Sequence, residues 1–472
     1  MWVILERLSV QVCQFIIGIV LARLLAPEDY GVIGMLAIFM AIAQSILDSG
    51  FNRALIQKKD RTNVDYSTVF YFNLFVSLII YIIFYFSASY IAEFYNTPIL
   101  SDVARVVAVS VVINAFSLVQ TAKLTIELNF RLQTLATLSS TILSGALGII
   151  MAYSNYGVWS LVAQTISAAL LRTIILICFS HWKPLIVFST DSFKKLFSFG
   201  SKLLIGDVIH TIYSNMYTLV IGKAFNASDV GYYNRSNGFA MLPPSIFGQV
   251  INKVMFPVLS ERQDDEISLL NAYTKMFRMP MFFFVPFMFL IAALSEPIII
   301  TLIGEKWRAC IPLMQVLCIG YIFSPLTYMN LNLLYVKGRS DISLKLDLIK
   351  KPLGLFLLFA SVPLGLWWMC LGKAVYDFMA FVMNCYFTKK LLNYGFFNQL
   401  NDIKEIILNS TLMFIIVLSS LALFDSLILQ LTIGTIVGIS IYVIVAKLYN
   451  DPVIDISVAL FKSMITRIKP KL

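Results

Sequence analysis

The chain has 472 residues, of which 59% are hydrophobic and only 13% charged, with a net charge of +10 and a mean hydropathy of +0.83. Soluble globular proteins carry about a quarter charged residues, so this composition excludes that class and points to a polytopic membrane protein. In a soluble chain the basic excess would suggest nucleic acid; here it gathers in the polar turns between apolar runs, where it is a topology signal, and no nucleic-acid partner is expected.

The apolar runs are about twenty residues long and lack the alternation of a lipid-facing strand, so the fold class is all-α. In chain order they predict about fourteen transmembrane helices, near residues 2–25, 31–51, 66–92, 100–122, 133–153, 157–179, 198–222, 232–257, 276–303, 310–335, 345–363, 365–387, 405–424 and 427–448. Placing the even-numbered connections and the tail on one side collects most of the 36 lysines and arginines there. The positive-inside rule then puts both termini in the cytoplasm. The chain enters its first helix at Met1-Trp2-Val3 and no small-residue cleavage site follows, so no cleavable signal peptide is expected.

Much of the stretch from Val20 to Arg61 recurs. A shift of 200 lays Leu219 to Lys253 on it without a gap, matching Arg23 to Lys223, Asp29 to Asp229, Gly31 to Gly231, Ser45-Ile46 to Ser245-Ile246 and Asn52-Arg53 to Asn252-Lys253. Each copy is a helix hairpin with a basic residue before the turn and an acidic one after it. The offset spans six predicted helices, an even number, so the copies share one orientation in a parallel repeat. The expected organisation is two pseudo-symmetric six-helix lobes, 1–182 and 183–390, followed by a helix pair and basic tail, 391–472.

Several helices carry a polar stripe at helical spacing. The first has Arg7, Gln11, Gln14 and Gly18; the second Gln44, Asp48 and Asn52; the fourth Ser110, Asn114, Ser117 and Thr121. The seventh has Asp207, His210, Ser214 and Thr218, and the eighth Arg235, Gly238, Ser245, Gln249 and Asn252. A charge at mid-bilayer costs about 2.5–3.5 kcal/mol on insertion scales, so such stripes should line a bundle interior or a wet cavity. The last two helices have few polar groups beyond Ser, Thr, Asn409 and Gln430 and should face lipid.

No enzyme is expected. The longest hydrophilic stretch, 259–271, is too short to fold alone, and its Asp264-Asp265 pair is read as a helix cap. There is no phosphate-binding glycine loop, and His181 and His210 are the only histidines, so neither a nucleotide nor a metal cofactor is expected. The six cysteines (Cys13, Cys178, Cys310, Cys318, Cys370, Cys385) lie inside apolar helices without CxxC spacing.

The charged positions carry two readings each. Arg23 and Lys223 occupy equivalent outer helix ends, where a cation either suits the last carbonyls or meets an anionic sugar or pyrophosphate on exit. Arg53 and Lys253 mark the inner ends of the duplicated helices, and Lys123 clusters with Glu127 and Arg131 at the inner end of the fourth. These are either positive-inside anchors or a cationic rim for a diphosphate head group. Glu28, Asp29 and Asp229 open helices and suit the positive end of the dipole. Asp48, Asp207, Asp347 and Asp377 lie within or near helix interiors and are candidates for proton or sodium coupling or for pairing a buried cation. Lys373 stands four residues before Asp377, so an ion pair is expected there. Asp48 and Asp207 have no obvious local partner and are favoured for coupling.

The run LARLLAPEDYG, with LDSGFNRALIQKKD after it, resembles the opening signature of bacterial oligosaccharide flippases of the polysaccharide transport family, the Wzx and teichuronic or colanic acid exporter type. That family lies within the multidrug/oligosaccharidyl-lipid/polysaccharide exporter superfamily. The likeness continues through YGVWSLVAQ, IGKAFNASDVGYYNRS, MFPVLSERQDD, GEKWRACIPLMQVLC and LNLLYVKGRSDISLKLDLIKK. The resemblance implies fourteen helices and alternating access of a central cavity. It implies as cargo an oligosaccharide repeat unit on undecaprenyl diphosphate, crossing the inner membrane for capsule, O-antigen or exopolysaccharide assembly. Membrane lipids, a polysaccharide polymerase and chain-length machinery are the implied partners, and the last two helices are expected to border a groove for the polyprenyl tail. Two departures stand out: relatives usually carry more residues before the first helix, and often place Asn-Asp in the seventh where this chain has Asn215-Met216. The alternative function is a cation-coupled drug exporter of the same superfamily, against which the arginine-bearing stripes argue. A membrane glycosyltransferase or polymerase would need a sizeable outer loop.

Overall fold

The computed structural model describes residues 2–48, 50–180, 182–451 and 453–454, leaving aside the side chains of residues 2–8, 199, 202, 203 and 252. These described residues form helices and no strand. The chain divides into two compact units, Met1–Asn234 and Arg235–Leu472.

The first unit holds α1 (Trp2–Leu24), α2 (Pro27–Asp48), α3 (Phe51–Gln57), α4 (Asn63–Phe94), α5 (Ile99–Val107), α6 (Val109–Ile126), α7 (Phe130–Tyr153), α8 (Val158–Ser180), α9 (Thr190–Ala224) and the start of α10 (Ala227–Ser260). The second holds the rest of α10, then α11 (Glu266–Ala293), α12 (Ser295–Ile303), α13 (Cys310–Tyr321), α14 (Phe323–Val336), α15 (Ser340–Ser361), α16 (Leu366–Leu392), α17 (Phe396–Leu421) and α18 (Leu427–Leu448).

Every one of the fourteen predicted stretches is helical. Ten helical segments among the described residues are long and apolar enough to cross a membrane; the described apolar part of α1 is shorter, Ser9–Leu24, and the more polar α9, α10 and α15 are not among the ten. The structure also interrupts four stretches read as continuous, between α2 and α3, α5 and α6, α11 and α12, and α13 and α14. Three helices, α9, α11 and α17, start well before the predicted 198, 276 and 405 because their first turns are polar or amphipathic. At α9 the Ser189 hydroxyl accepts from the Ser192 amide at 3.3 Å, and the opening turns of α17 contain Asp402, Lys404 and Glu405. Asp265 caps α11, accepting from the Ile267 and Ser268 amides at 3.0 and 3.1 Å.

The duplicated hairpins meet each other within the first unit. In the first copy the Asp29 carboxylate accepts from the Ala26 amide at 2.9 Å; in the second the Asn226 side chain accepts from the Asp229 amide at 2.9 Å. Each copy thus keeps one half of a capping box. A Cβ placed on Gly31 would overlap the Ala227 carbonyl, and one on Gly231 would overlap the Pro27 carbonyl. The two contacts are the same one exchanged through the 200-residue offset, and only glycine lets the backbones approach so closely. Further along, α3 is anchored by an aromatic cluster in which Phe51 packs on Phe72, Phe193 and Phe197. Asp65 closes the start of α4, capping it with Thr62 and accepting from Lys58 Nζ at 2.6 Å.

In the second unit, Asn330 centres a fully buried polar network. Its side-chain oxygen accepts from Gln399 Nε2 at 2.8 Å and the Tyr273 hydroxyl at 3.2 Å, and its amide donates to Gln399 Oε1 at 3.0 Å. Arg278 of α11 bridges Glu405 of α17 at 3.4 Å and Asp451, just beyond α18, at 3.0 Å. The last two helices leave an apolar outer face exposed, including Leu408, Ile415, Ile436 and Ile444. Their inner face is not simply apolar: Asn409 is buried and donates to the Tyr442 carbonyl at 3.1 Å.

Two stability changes follow. Gly231→Ala drives a methyl group into the Pro27 carbonyl and should cost about 3 kcal/mol, at the upper end for overpacking; Gly238→Ala, where a Cβ meets nothing within 4 Å, should be neutral or slightly stabilising in the same thermal unfolding series. Arg278→Ala strands Asp451, which is 6% exposed, and should lower the melting temperature. The Arg278→Ala/Asp451→Ala double variant should lose less than the sum of the single losses.

Candidate functional site

The polar stripes of α2 and α9, separated by more than 150 residues in sequence, face one another across a cavity of about 570 Å³ within the first unit. Its lining includes Gln44, Asp48, Asn52 and Arg53 from one side and Asp207, His210, Ser214 and Asn215 from the other. The packing that brings them together is polar as well as steric: Ser45 and Thr211 hydroxyls hydrogen-bond at 2.8 Å.

Asp48 and Asp207, which have no obvious local charge partner in the sequence, make contacts in the fold. Asp207 Oδ2 lies 3.2 Å from Arg53 Nη1. Asp48 accepts from Gln44 Nε2 at 2.9 Å, and Gln44 in turn accepts from Asn114 Nδ2 at 3.5 Å. Both Arg172 and Arg53 act electrostatically on Asp48. A local scan along one helix could not see the Arg53 partnership, because ion pairs between helices follow from packing and not from i,i+4 spacing.

The other candidates fall elsewhere. Lys223 Nζ donates to the Phe94 carbonyl at 2.7 Å and stands 4.6 Å over the Phe94 ring, the contacts of a helix-end cation. Arg23 is exposed in the last turn of α1. Lys123 pairs with Glu127 at 3.7 Å. The Arg7 side chain lies outside the described residues. Arg235, Lys253, Asp347 and Asp377 belong to the second unit. There Arg235 stands 5.9 Å over the Trp307 ring, Lys253 and Asp347 are exposed, and Asp377 lies 3.8 Å from Lys373, which also stands 5.0 Å over Tyr321.

Two residues were not singled out from sequence. Arg172 is the one basic residue of the apolar run 157–179, and a charge in such a run is itself a signal. Lys350 is 4% exposed and donates to the Asn384 side-chain oxygen. Its neighbours Lys345 and Lys351 disguise it as a surface anchor.

Chemically, the cavity offers an arginine held by a single carboxylate contact, two fixed carboxylates, and amide and hydroxyl groups. Within that set Arg53 can pair with a phosphate through several donors, and the amides and hydroxyls suit sugar. The family model described as polysaccharide biosynthesis protein matches residues 20–312. The chain belongs to this family. Among its relatives within the polysaccharide biosynthesis proteins, teichuronic acid biosynthesis protein TuaB of Bacillus subtilis is 26% identical over 370 residues, 77% of this chain and 76% of TuaB. Lipopolysaccharide biosynthesis protein WzxC of Escherichia coli is 24% identical over 352 residues, 73% of this chain and 70% of WzxC. This polysaccharide biosynthesis protein shares its fold with a solved structure of the lipid II flippase MurJ, at a TM-score of 0.77 and 16% identity over 96% of this chain and 100% of that one. An inward-facing multidrug transporter of the MATE family aligns at a TM-score of 0.63 and 16% identity, covering 81% of this chain and 94% of that one. The chain is therefore a multi-pass membrane protein with a transporter fold.

With side chains 58% and 37% exposed, the Arg53–Asp207 pair should contribute under about 1 kcal/mol to stability. Arg53→Ala and Asp207→Asn are accordingly expected to shift the melting temperature by no more than a few degrees in a thermal double-mutant cycle, which makes them clean probes of transport.

Proposed function

We propose that this chain is a flippase that carries an oligosaccharide repeat unit on undecaprenyl diphosphate from the cytoplasmic to the periplasmic leaflet of the bacterial inner membrane. The observation that carries this reading is the cavity of about 570 Å³ with Arg53 exposed on its wall. In it, Arg53 with the field of Arg172 receives the diphosphate, while Gln44, Asn52, Ser214 and Asn215 meet sugar hydroxyls. Family membership and the transporter fold support the same reading.

Transport proceeds by alternating access of two six-helix lobes, with both termini cytoplasmic. Asp48, held by Gln44 inside the cavity, is the favoured coupling group for a proton or sodium ion, because a carboxylate in the span that is reached by water can exchange a cation as the cavity changes sides. The apolar outer face of α17 and α18 suits the polyprenyl tail. Delivered units then pass to a polymerase and its chain-length machinery.

The test is delivery of undecaprenyl-diphosphate-linked glycan to the periplasmic leaflet in cells lacking the gene and in cells restored with wild type, Asp48→Asn or Arg53→Ala protein. Deletion should trap labelled intermediates at the cytoplasmic face and wild type should release them. Arg53→Ala should reduce delivery about tenfold or more, the scale of a lost charge-assisted contact, and Asp48→Asn should remove dependence on the ion gradient. Intermediates that still cross without the gene or any paralogue would overturn the assignment.

A further inference from the structure

The contact between Arg53 and Asp207 has a form that matters for how an anion is taken up and let go. It is a single approach, Nη1 to Oδ2 at 3.2 Å, on the wall of an open cavity, and both side chains are reached by water. A guanidinium has five donors in a planar fork, so one carboxylate contact of this kind leaves most of its capacity unused. Asp48 differs: it is tied to Gln44 on its own helix, one turn away. The two partners of the ion pair come instead from different helices, α3 and α9, which abut through the backbones of Gly50 and Gly200.

We propose that Asp207 is a built-in competitor for the anion site on Arg53. When the cavity is empty, Asp207 holds the guanidinium and satisfies its charge. A diphosphate, with more charge and more acceptor oxygens, takes Arg53 away and leaves the carboxylate hydrated in the cavity, where it repels the bound anion. As the ligand leaves, Asp207 reclaims Arg53 and prevents rebinding. The exchange rests on the reading of the cavity as a diphosphate site and adds to it the means of release. It also carries a sign opposite to that of an ordinary binding residue: removing the Asp207 charge strengthens ligand binding and slows release.

The experiment titrates the full chain, in phosphatidylcholine nanodiscs, with farnesyl diphosphate as the probe and farnesol as its uncharged control. Asp207→Asn should bind farnesyl diphosphate about fivefold more tightly than wild type, the factor expected for removing one exposed ionic competitor. Asp207→Glu, which keeps the competitor, should bind as wild type does. Arg53→Ala should lose most of the affinity, and Asp207→Asn should gain less in the Arg53→Ala background than it gains in wild type. Farnesol should respond to none of these changes. In cells, Asp207→Asn should deliver glycan more slowly than wild type despite binding more tightly. A wild-type protein that prefers farnesol or binds neither compound overturns the diphosphate reading, and the inference falls with it. If wild type binds and Arg53→Ala does not, but Asp207→Asn binds equally or more weakly, the exchange alone is overturned. Melting temperature establishes that each variant is folded, and Asp207→Ser replaces Asp207→Asn if the latter is not.

Discussion

The ion pair between Arg53 and Asp207 at 3.2 Å expresses the constraint that orders the first unit: a charge carried into a membrane span must find either water or a partner. Here it finds both. The polar faces of α2 and α9 turn toward each other because neither can face hydrocarbon. The result is a cavity instead of a closed core, in which water reaches the Arg53 guanidinium and the Asp48 and Asp207 carboxylates, whose desolvation would be costly. The site is thus a consequence of the same rule that makes the outer surfaces of these helices apolar.

What lets α2 and α9 run side by side is the meeting of the two hairpins. The reciprocal contacts of Gly31 with Ala227 and of Gly231 with Pro27 bring backbone onto backbone, and the shared geometry survives although the capping chemistry has diverged. Asp29 does for the first copy what Asn226 does for the second. A duplicated element can change its hydrogen-bond donors and acceptors freely so long as the helix start is satisfied. It cannot gain a side chain where a carbonyl lies against each glycine.

The second unit resolves its polar groups in the other way. Asn330, Gln399 and Tyr273 close a network with its members buried and bonded to one another, and Lys373 and Asp377 pair along one helix. The Asn330 network specifies packing, because its buried donors and acceptors are bonded to one another. Arg278 extends the principle to the chain's final helices, joining α11 to Glu405 and Asp451. Lys350, buried against a neutral amide oxygen, is the member of this set whose charge is least compensated by its hydrogen-bond partner.

The family, the all-helical class and the positions of the helices were legible in the sequence because hydropathy, turn chemistry and repeated motifs are local properties. Asp265 as a cap and Lys373 with Asp377 as a pair were legible for the same reason: each relation spans four residues or fewer. The polar stripes could be read as facing a cavity, and Asp48, Arg53 and Asp207 could be picked out as charged residues that needed an explanation. Their grouping could not. That Asp207 answers Arg53, that Arg172 acts on Asp48, and that Lys223 donates to the last carbonyl of α4 all depend on which helices lie side by side. Sequence by itself determined which residues needed a partner, since the cost of an exposed charge in lipid depends only on the residue and its depth; tertiary structure decided which partner each received, since that depends on packing between helices far apart in the chain.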